Sequence, residues 1–316
     1  MTDRIIDIAD EPASLSVHLG RLVIRRRGPP RTYPLFEGGS DGTDDTDFEP
    51  TVTLPLTDLA VLVVSNPQVH YTHAVVAGIA SAGGAMIACN EKHLPVGMLL
   101  PLEGHFTQSE RFAKQAQASA PTCKQIWKQI VKAKVRAQGR LLVELHGDDA
   151  GLIVLAKRVT SGDTSNIEAQ ASRKYWLALF KDPAFRRDRD EPDQNRILNY
   201  GYAVLRAIVA RAVCAAGLHP SLGVHHHNRY DAYCLADDLM EPFRPIVDRA
   251  VVKWLETHEP DAPLDREGKA ALLESLTRRF DLGGEKRTLF DIVTRAASSL
   301  ADVLAGERKS LVLPEI

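Results

Sequence analysis

Three motifs in this chain carry side chains able to hold a hard metal ion: Glu168 in NIEAQASRKYW, the triplet His225–His226–His227 in GVHHHN, and Glu241 in ADDLMEPFRP. Two carboxylates and one imidazole suit Mg²⁺ or Mn²⁺, with water completing the shell. Zinc could use the same atoms, but thiolates are absent nearby apart from Cys234. The usual non-haem iron triad needs two imidazoles, so it would also require His225 or His227. A hard ion beside a phosphate polarises a P–O bond and can activate water or a 3′-hydroxyl. Each motif alone has a plainer reading. A helix-start Glu is usually a cap or dipole partner, a His a core or capping group, an acidic Pro-containing run a solvated turn. Asp238 and Glu241 are i and i+3, hence neighbours on one helical face. One ion cannot easily use all three adjacent histidines, so a single ligand is expected from the triplet.

Basic residues could supply a track for a nucleic-acid strand. Lys124, Lys128 and Lys132 repeat every four residues, with Lys134, Arg136 and Arg140 on the same helical run. Arg173, Lys174, Arg186, Arg187, Arg189 and Arg196 surround the Glu168 segment. Such clusters could neutralise a backbone, and they could equally be solvated helix faces. The total charge decides nothing, because 39 basic residues face 41 acidic ones. Tyr175 and Trp176 read as core and not as base-stacking platforms, and Tyr200 and Tyr202 as packed residues with satisfied hydroxyls.

These motifs need elements to position them. At 316 residues and 44% hydrophobic content the chain can bury a sizeable core in about two domains. The first ninety residues read as strand-rich: RIIDIAD, SLSVHLGRLVIRR turning at Gly20, VTLPLTDLAVLVVSN and AMIACN, with a short helix at 73–82. Pro55 argues against a regular central strand. FEGGSDGTDDTDFEP reads as an exposed acidic loop, without EF-hand spacing. Beyond Leu100 the pattern turns helical, through CKQIWKQIVKAKVRAQGRLLVEL, ILNYGYAVLRAIVARAVCAAG and LADDLMEPFRPIVDRAVVKWLETH. The expected class is α+β: a β-rich domain at 1–95, then a larger, mainly α-helical domain at 96–316 carrying the site. Cys89, Cys123, Cys214 and Cys234 show no C-x-x-C spacing and read as thiols in a reducing compartment. The N-terminus has no signal-peptide pattern and no apolar run reaches about eighteen residues. A soluble cytoplasmic protein without a membrane partner is expected.

With these motifs in place the chain resembles the CRISPR adaptation integrase family, the metal-dependent subunit of spacer acquisition. The resemblance rests on NIEAQASRKYW (166–176), ILNYGYAVLRA (197–207), GLHPSLGVHHHN (217–228) and DLMEPFRP (238–245). The triple histidine and LADDLMEPFRP look most like the type II branch in its II-C form. The resemblance implies that Glu168, His226 and Glu241 bind the catalytic Mg²⁺ or Mn²⁺. Many relatives carry Asp at the third position. Asp238, His225 and His227 would stand behind or beside these ligands, and Lys124, Lys128, Lys132, Arg173 and Arg244 could contact DNA. It implies a homodimer, a β-rich dimerisation domain, and two such dimers flanking a dimer of a small second adaptation subunit in a heterohexamer. The substrate would be double-stranded DNA, inserted into an array by 3′-OH attack on repeat-end phosphodiesters, without a covalent protein–DNA intermediate. A type II effector nuclease would be a further partner. The alternative from the residues alone is a metal-dependent phosphoesterase acting on small or branched nucleic-acid substrates, which would need a closed pocket in place of a basic track.

Overall fold

The structure, a computed structural model, describes residues 3–9, 11–27, 48–90, 95–188, 191–282 and 284–315. It divides into two units, Met1–Leu99 and Leu100–Ile316. A small β-rich N-terminal region precedes a larger helical domain. The acidic loop and Arg189 lie largely or wholly outside the described residues.

The first unit holds β1 (Arg4–Ile8), β2 (Ala13–His18), β3 (Arg21–Arg27), β4 (Phe48–Pro55), β5 (Leu59–Val64), β6 (His70–Tyr71), α1 (His73–Ser81), β7 (Ala85–Cys89) and β8 (Pro95–Leu99). They form two four-stranded sheets, β1-β5-β7-β8 and β4-β3-β2-β6. β5 reads LAVLVV and is buried along almost its whole length, as suits a strand parallel to β1 on one side and β7 on the other. Leu19 and Gly20 both take positive φ, which matches the twist of the β2–β3 hairpin they close. Pro55 sits at the end of β4, itself an edge strand, where no ladder donor is lost from the sheet centre. Both sheets and α1 feed one core, including Ile8, Leu15, Leu22, Leu54, Leu62, Ile79 and Met86.

The second unit holds α2 (Gln108–Ala116), α3 (Ala120–His146), α4 (Leu152–Lys157), α5 (Ile167–Phe180), α6 (Gln194–Ala215), α7 (Cys234–Met240), α8 (Arg244–Leu255), α9 (Arg266–Thr277), β9 (Arg279–Leu282), β10 (Glu285–Thr288) and α10 (Leu289–Leu304). Two long helices organise it. α3 starts at Ser119, whose Oγ accepts from Thr122 N, and stops at left-handed Gly147. It packs on α4, α5, α7 and α8, whereas α6 packs on α7, α8, α9 and α10. A side chain at Gly201 would put Cβ 2.5 Å from Val247 Cγ1, so glycine lets α6 and α8 approach closely. α6 is 22 residues long and apolar enough by length and composition to cross a membrane, against the expectation that no such run exists. Its apolar window is 78% buried within the fold, so packing consumes that surface. The hairpin β9–β10 was not anticipated by the helical reading of this half. All four cysteines are free thiols.

Candidate metal centre

Glu168 is the second residue of α5. The carboxylate of Asp163 accepts from the first two amides of that helix, Ile167 N on Oδ1 and Glu168 N on Oδ2, both at 2.9 Å. A negative group at the positive end of the helix dipole thus fixes the backbone beneath Glu168. Asp163 was not singled out from the sequence, although a short acidic side chain just before a helix is a recognisable capping signal.

The three histidines lie in an irregular loop between α6 and α7, on neither a strand nor a helix. One buried carboxylate builds that loop. Asp238, 0% exposed, accepts from Val224 N at 2.7 Å, His225 N at 2.9 Å and His226 N at 3.3 Å. Its Oδ1 also lies 2.5 Å from His226 Nδ1. Gly223 is required there, because a Cβ would stand 2.3 Å from the His226 carbonyl oxygen. The Asp238 contact sets the His226 tautomer with the proton on Nδ1 and leaves Nε2 as the lone-pair nitrogen. That hydrogen bond to Asp238, outweighing burial, raises the His226 pKa. His225 stacks flat on Trp127, with ring centroids 4.0 Å apart and planes within 3°. Burial, with the neighbouring His226, lowers the His225 pKa.

Glu241 opens a tight 3-10 turn, Glu241–Phe243, between α7 and α8. Pro242 in the first turn supports this break, and the carboxylate is buried where the sequence allowed a solvated acidic turn. Arg244 Nε donates to Glu241 Oε1 at 2.9 Å. On the other side stands Lys134, whose Nζ is 2.7 Å from Glu241 Oε2 and 2.5 Å from Glu168 Oε1. Burial opposes ionisation of Glu241, but Arg244 and Lys134 overcome it and hold the pKa at about 2. Lys134 is likewise buried, and Glu241 and Glu168 outweigh that burial to raise its pKa. The sequence reading places Lys134 with the other basic residues of one helical run, as part of a possible nucleic-acid track. The structure corrects this: the side chain is only 9% exposed and binds both carboxylates.

One ammonium therefore gathers Glu168 and Glu241 at a single point, close enough to His226 for its charge to act on Glu241. Among the described residues, no group of three or more His, Cys, Asp or Glu side chains has metal-site geometry as the chain stands. The donor set nevertheless fits a hard divalent ion. Glu241 Oε2 is buried and meets the Lys134 ammonium at 2.7 Å, so a cation already occupies the place between the two carboxylates. Two carboxylates and one imidazole nitrogen suit Mg²⁺ or Mn²⁺.

Behind Glu241 lies a small cavity of about 150 Å³, lined in part by Lys134, Gln138, Tyr202, Arg244 and Asp248. Asp248 accepts from Tyr175 Oη at 2.6 Å and from Tyr202 Oη, so both tyrosines are packed with satisfied hydroxyls. Burial raises the Asp248 pKa to about 6, although these hydroxyls, Arg244 and Arg187 pull the other way. The folded value lies above the unfolded 3.8, so the folded chain holds this proton longer. The resulting stabilisation is fully present below about pH 4 and is lost as pH rises through about 6. Asp248→Asn is accordingly expected to gain up to about 3 kcal/mol on the wild type between pH 4 and 7. Urea unfolding at both pH values measures this, and a constant difference refutes it.

The basic residues separate by environment. Lys124 and Arg173 are exposed, while Lys128 and Lys132 are half-buried along α3. Arg244 is committed to Glu241, and its guanidinium carbon lies 4.7 Å from the Tyr202 ring centre. Lys124, Trp127, Gly162, Ser221, His225 and His227 line an open cleft of about 610 Å³.

Residues 43–280 match the family described as CRISPR associated protein Cas1. The chain belongs to the Cas1 family. At the level of that family its role is nuclease and integrase chemistry in CRISPR adaptation. It is 35% identical over 267 residues to the CRISPR-associated endonuclease Cas1 of Neisseria meningitidis serogroup C, covering 84% of this chain and 87% of that one. Its fold is similar to a casposase bound to integration product, with a TM-score of 0.75, 20% identity, and coverage of 98% of this chain and 92% of the other. It is also similar to part of a Cas6-RT-Cas1–Cas2 complex, with a TM-score of 0.71 and 16% identity over 99% of this chain and 36% of that one.

Proposed function

We propose that this Cas1-family protein inserts short DNA duplexes into a CRISPR array through a metal centre formed by Glu168, His226 and Glu241. The observation that carries this reading is the convergence of Glu168 and Glu241 on one buried cation beside His226, whose Nδ1 is held by Asp238. Bound Mg²⁺ or Mn²⁺ would supply Lewis-acid stabilisation of charge on the phosphate and lower the pKa of a 3′-hydroxyl or water. The chain's own residues prepare the geometry. Glu168 is aimed by the Asp163-capped start of α5, and Glu241 by the 3-10 turn and Arg244. Asp238 fixes the His226 ring through Nδ1, so that Nε2 would be the atom offered to the ion.

The substrate in this reading is double-stranded DNA with 3′ ends. Each 3′-hydroxyl attacks a repeat-end phosphodiester directly, the new P–O bond replacing the bond to the target strand's own 3′-oxygen, which leaves as a 3′-hydroxyl, and no bond to the protein forms. A homodimer, joined through its N-terminal unit, would pair with a dimer of a small second subunit as a heterohexamer. The similarity to part of a complex whose name includes Cas2 supports a partner of that kind. The triple histidine and LADDLMEPFRP support the type II branch, in its II-C form, with an effector nuclease as a further partner. The free thiols suit a reducing, cytoplasmic setting.

The deciding experiment is half-site integration of a labelled duplex into a leader–repeat substrate, with and without the small subunit, in Mg²⁺, Mn²⁺ or chelator. A branched product that requires metal is expected. Absence of that product in every metal-containing arm overturns the reading. The basic track has its own test. Lys124→Gln with Lys128→Gln is expected to weaken duplex binding at all sequences and to lower the log–log salt slope by about two, near 0.9 for each phosphate no longer neutralised. An unchanged slope removes these lysines from the DNA face.

A further inference from the structure

We propose that Lys134 is a built-in placeholder cation, which holds Glu168 and Glu241 together before metal binds and then retreats into the neighbouring cavity beside Gln138. The proposal rests on the metal-centre reading above. Its first support is position. Nζ touches one oxygen of each carboxylate, at 2.5 and 2.7 Å, at the point where those oxygens converge. Two carboxylates so close would repel each other, and the ammonium cancels that repulsion while the site waits. An incoming divalent ion needs the same oxygens. Like charges exclude each other at this range, so the ammonium must leave for the ion to settle.

The second support is a vacant berth. Gln138 lies one turn further along α3, on the same helical face as Lys134. Its Oε1 is buried and has no hydrogen-bond partner. A buried acceptor left unpaired is costly and calls for an explanation in the working cycle. Gln138, Asp248 and Lys134 line the same cavity of about 150 Å³. The four-carbon stem of lysine is flexible enough to turn its ammonium toward that side. There it would meet the Gln138 carbonyl oxygen and the Asp248 side, retaining a polar environment away from the metal.

The test reads Mn²⁺ binding, by electron paramagnetic resonance of free Mn²⁺, on the full chain without DNA. Lys134→Met is expected to bind Mn²⁺ at least about tenfold more tightly, because no ammonium has to be displaced. Gln138→Leu, which removes the berth, is expected to bind about tenfold more weakly. In the double variant the Gln138→Leu effect is expected to vanish, since no ammonium seeks the berth. A Gln138→Leu effect of equal size with and without Lys134, or no effect at all, overturns the proposal. Wild-type protein provides a readout that does not depend on a variant folding. In lysine-labelled protein, Mg²⁺ is expected to shift the Lys134 Cε resonance, and a resonance that stays in place overturns the proposal. His226→Ala separates the two levels. If it abolishes Mn²⁺ binding while Lys134→Met and Gln138→Leu change nothing, the metal centre stands and the placeholder falls. If it leaves Mn²⁺ binding intact, the metal reading falls and takes the placeholder with it.

Discussion

Glu168→Ala is expected to abolish metal-dependent strand transfer, lowering its rate by at least about a thousandfold. The substitution removes one of two carboxylates and one of three proposed ligands. It should do little to the fold. The Glu168 side chain is 31% exposed, its hydrogen bond goes to Lys134, and Lys134 keeps Glu241 as a partner. The Asp163 cap on α5 acts through backbone amides and survives. Half-site integration and a thermal melt of the same preparation measure both effects. A melt near the wild type with activity lost supports the site. Full activity in a clean preparation removes Glu168 from the chemistry.

Asp238→Ala is expected to have the opposite balance, with a large loss of stability joined to loss of activity. The carboxylate is fully buried and accepts from three successive backbone amides as well as lying against the His226 ring. Its removal leaves buried donors unpaired and frees the imidazole to turn. Losing a buried charged acceptor of this kind costs about 3–5 kcal/mol. For a unit of this size that lowers the melting temperature by roughly 10 °C. Asp238→Asn retains an acceptor oxygen and is expected to recover part of the stability but less of the metal affinity, because the charge behind His226 is gone. Melting curves and Mn²⁺ titration of both variants measure this. A melt unchanged in Asp238→Ala would show that the loop stands without its carboxylate.

The strands, the Gly20 turn and the long helices are visible in the sequence because period and turn chemistry agree there. Glu168, the histidine triplet and Asp238–Glu241 stand out because each breaks local pattern with metal-capable chemistry. Lys134 does not. It follows Ile130 by four residues and Val131 by three, on the apolar side of α3, but its charge alone does not say which carboxylates meet it, since those arrive with α5 and the 3-10 turn from elsewhere in the chain. Asp248 is similarly silent, since its partners Tyr175 and Tyr202 come from two other helices. The β9–β10 hairpin is masked by its charged strands, RFDL and EKRT, although the Gly283–Gly284 pair between them is a turn signal. α6 shows the converse, an apolar run whose burial depends on its neighbours.

The groups gathered around Lys134 and Glu241 come from α3, α5 and the turn before α8, with the histidine loop near enough for the His226 charge to act on Glu241. Lys134 and Glu168 alone are separated by 34 positions, and Glu241 is supplied much later. A chain still emerging from the ribosome therefore cannot assemble this cluster until residues beyond Arg244 are free to fold. A fragment ending before Glu241 lacks the second carboxylate, and the proposed metal centre cannot form in it. Incomplete copies of the chain thus lack the proposed centre because of the order in which its parts are synthesised.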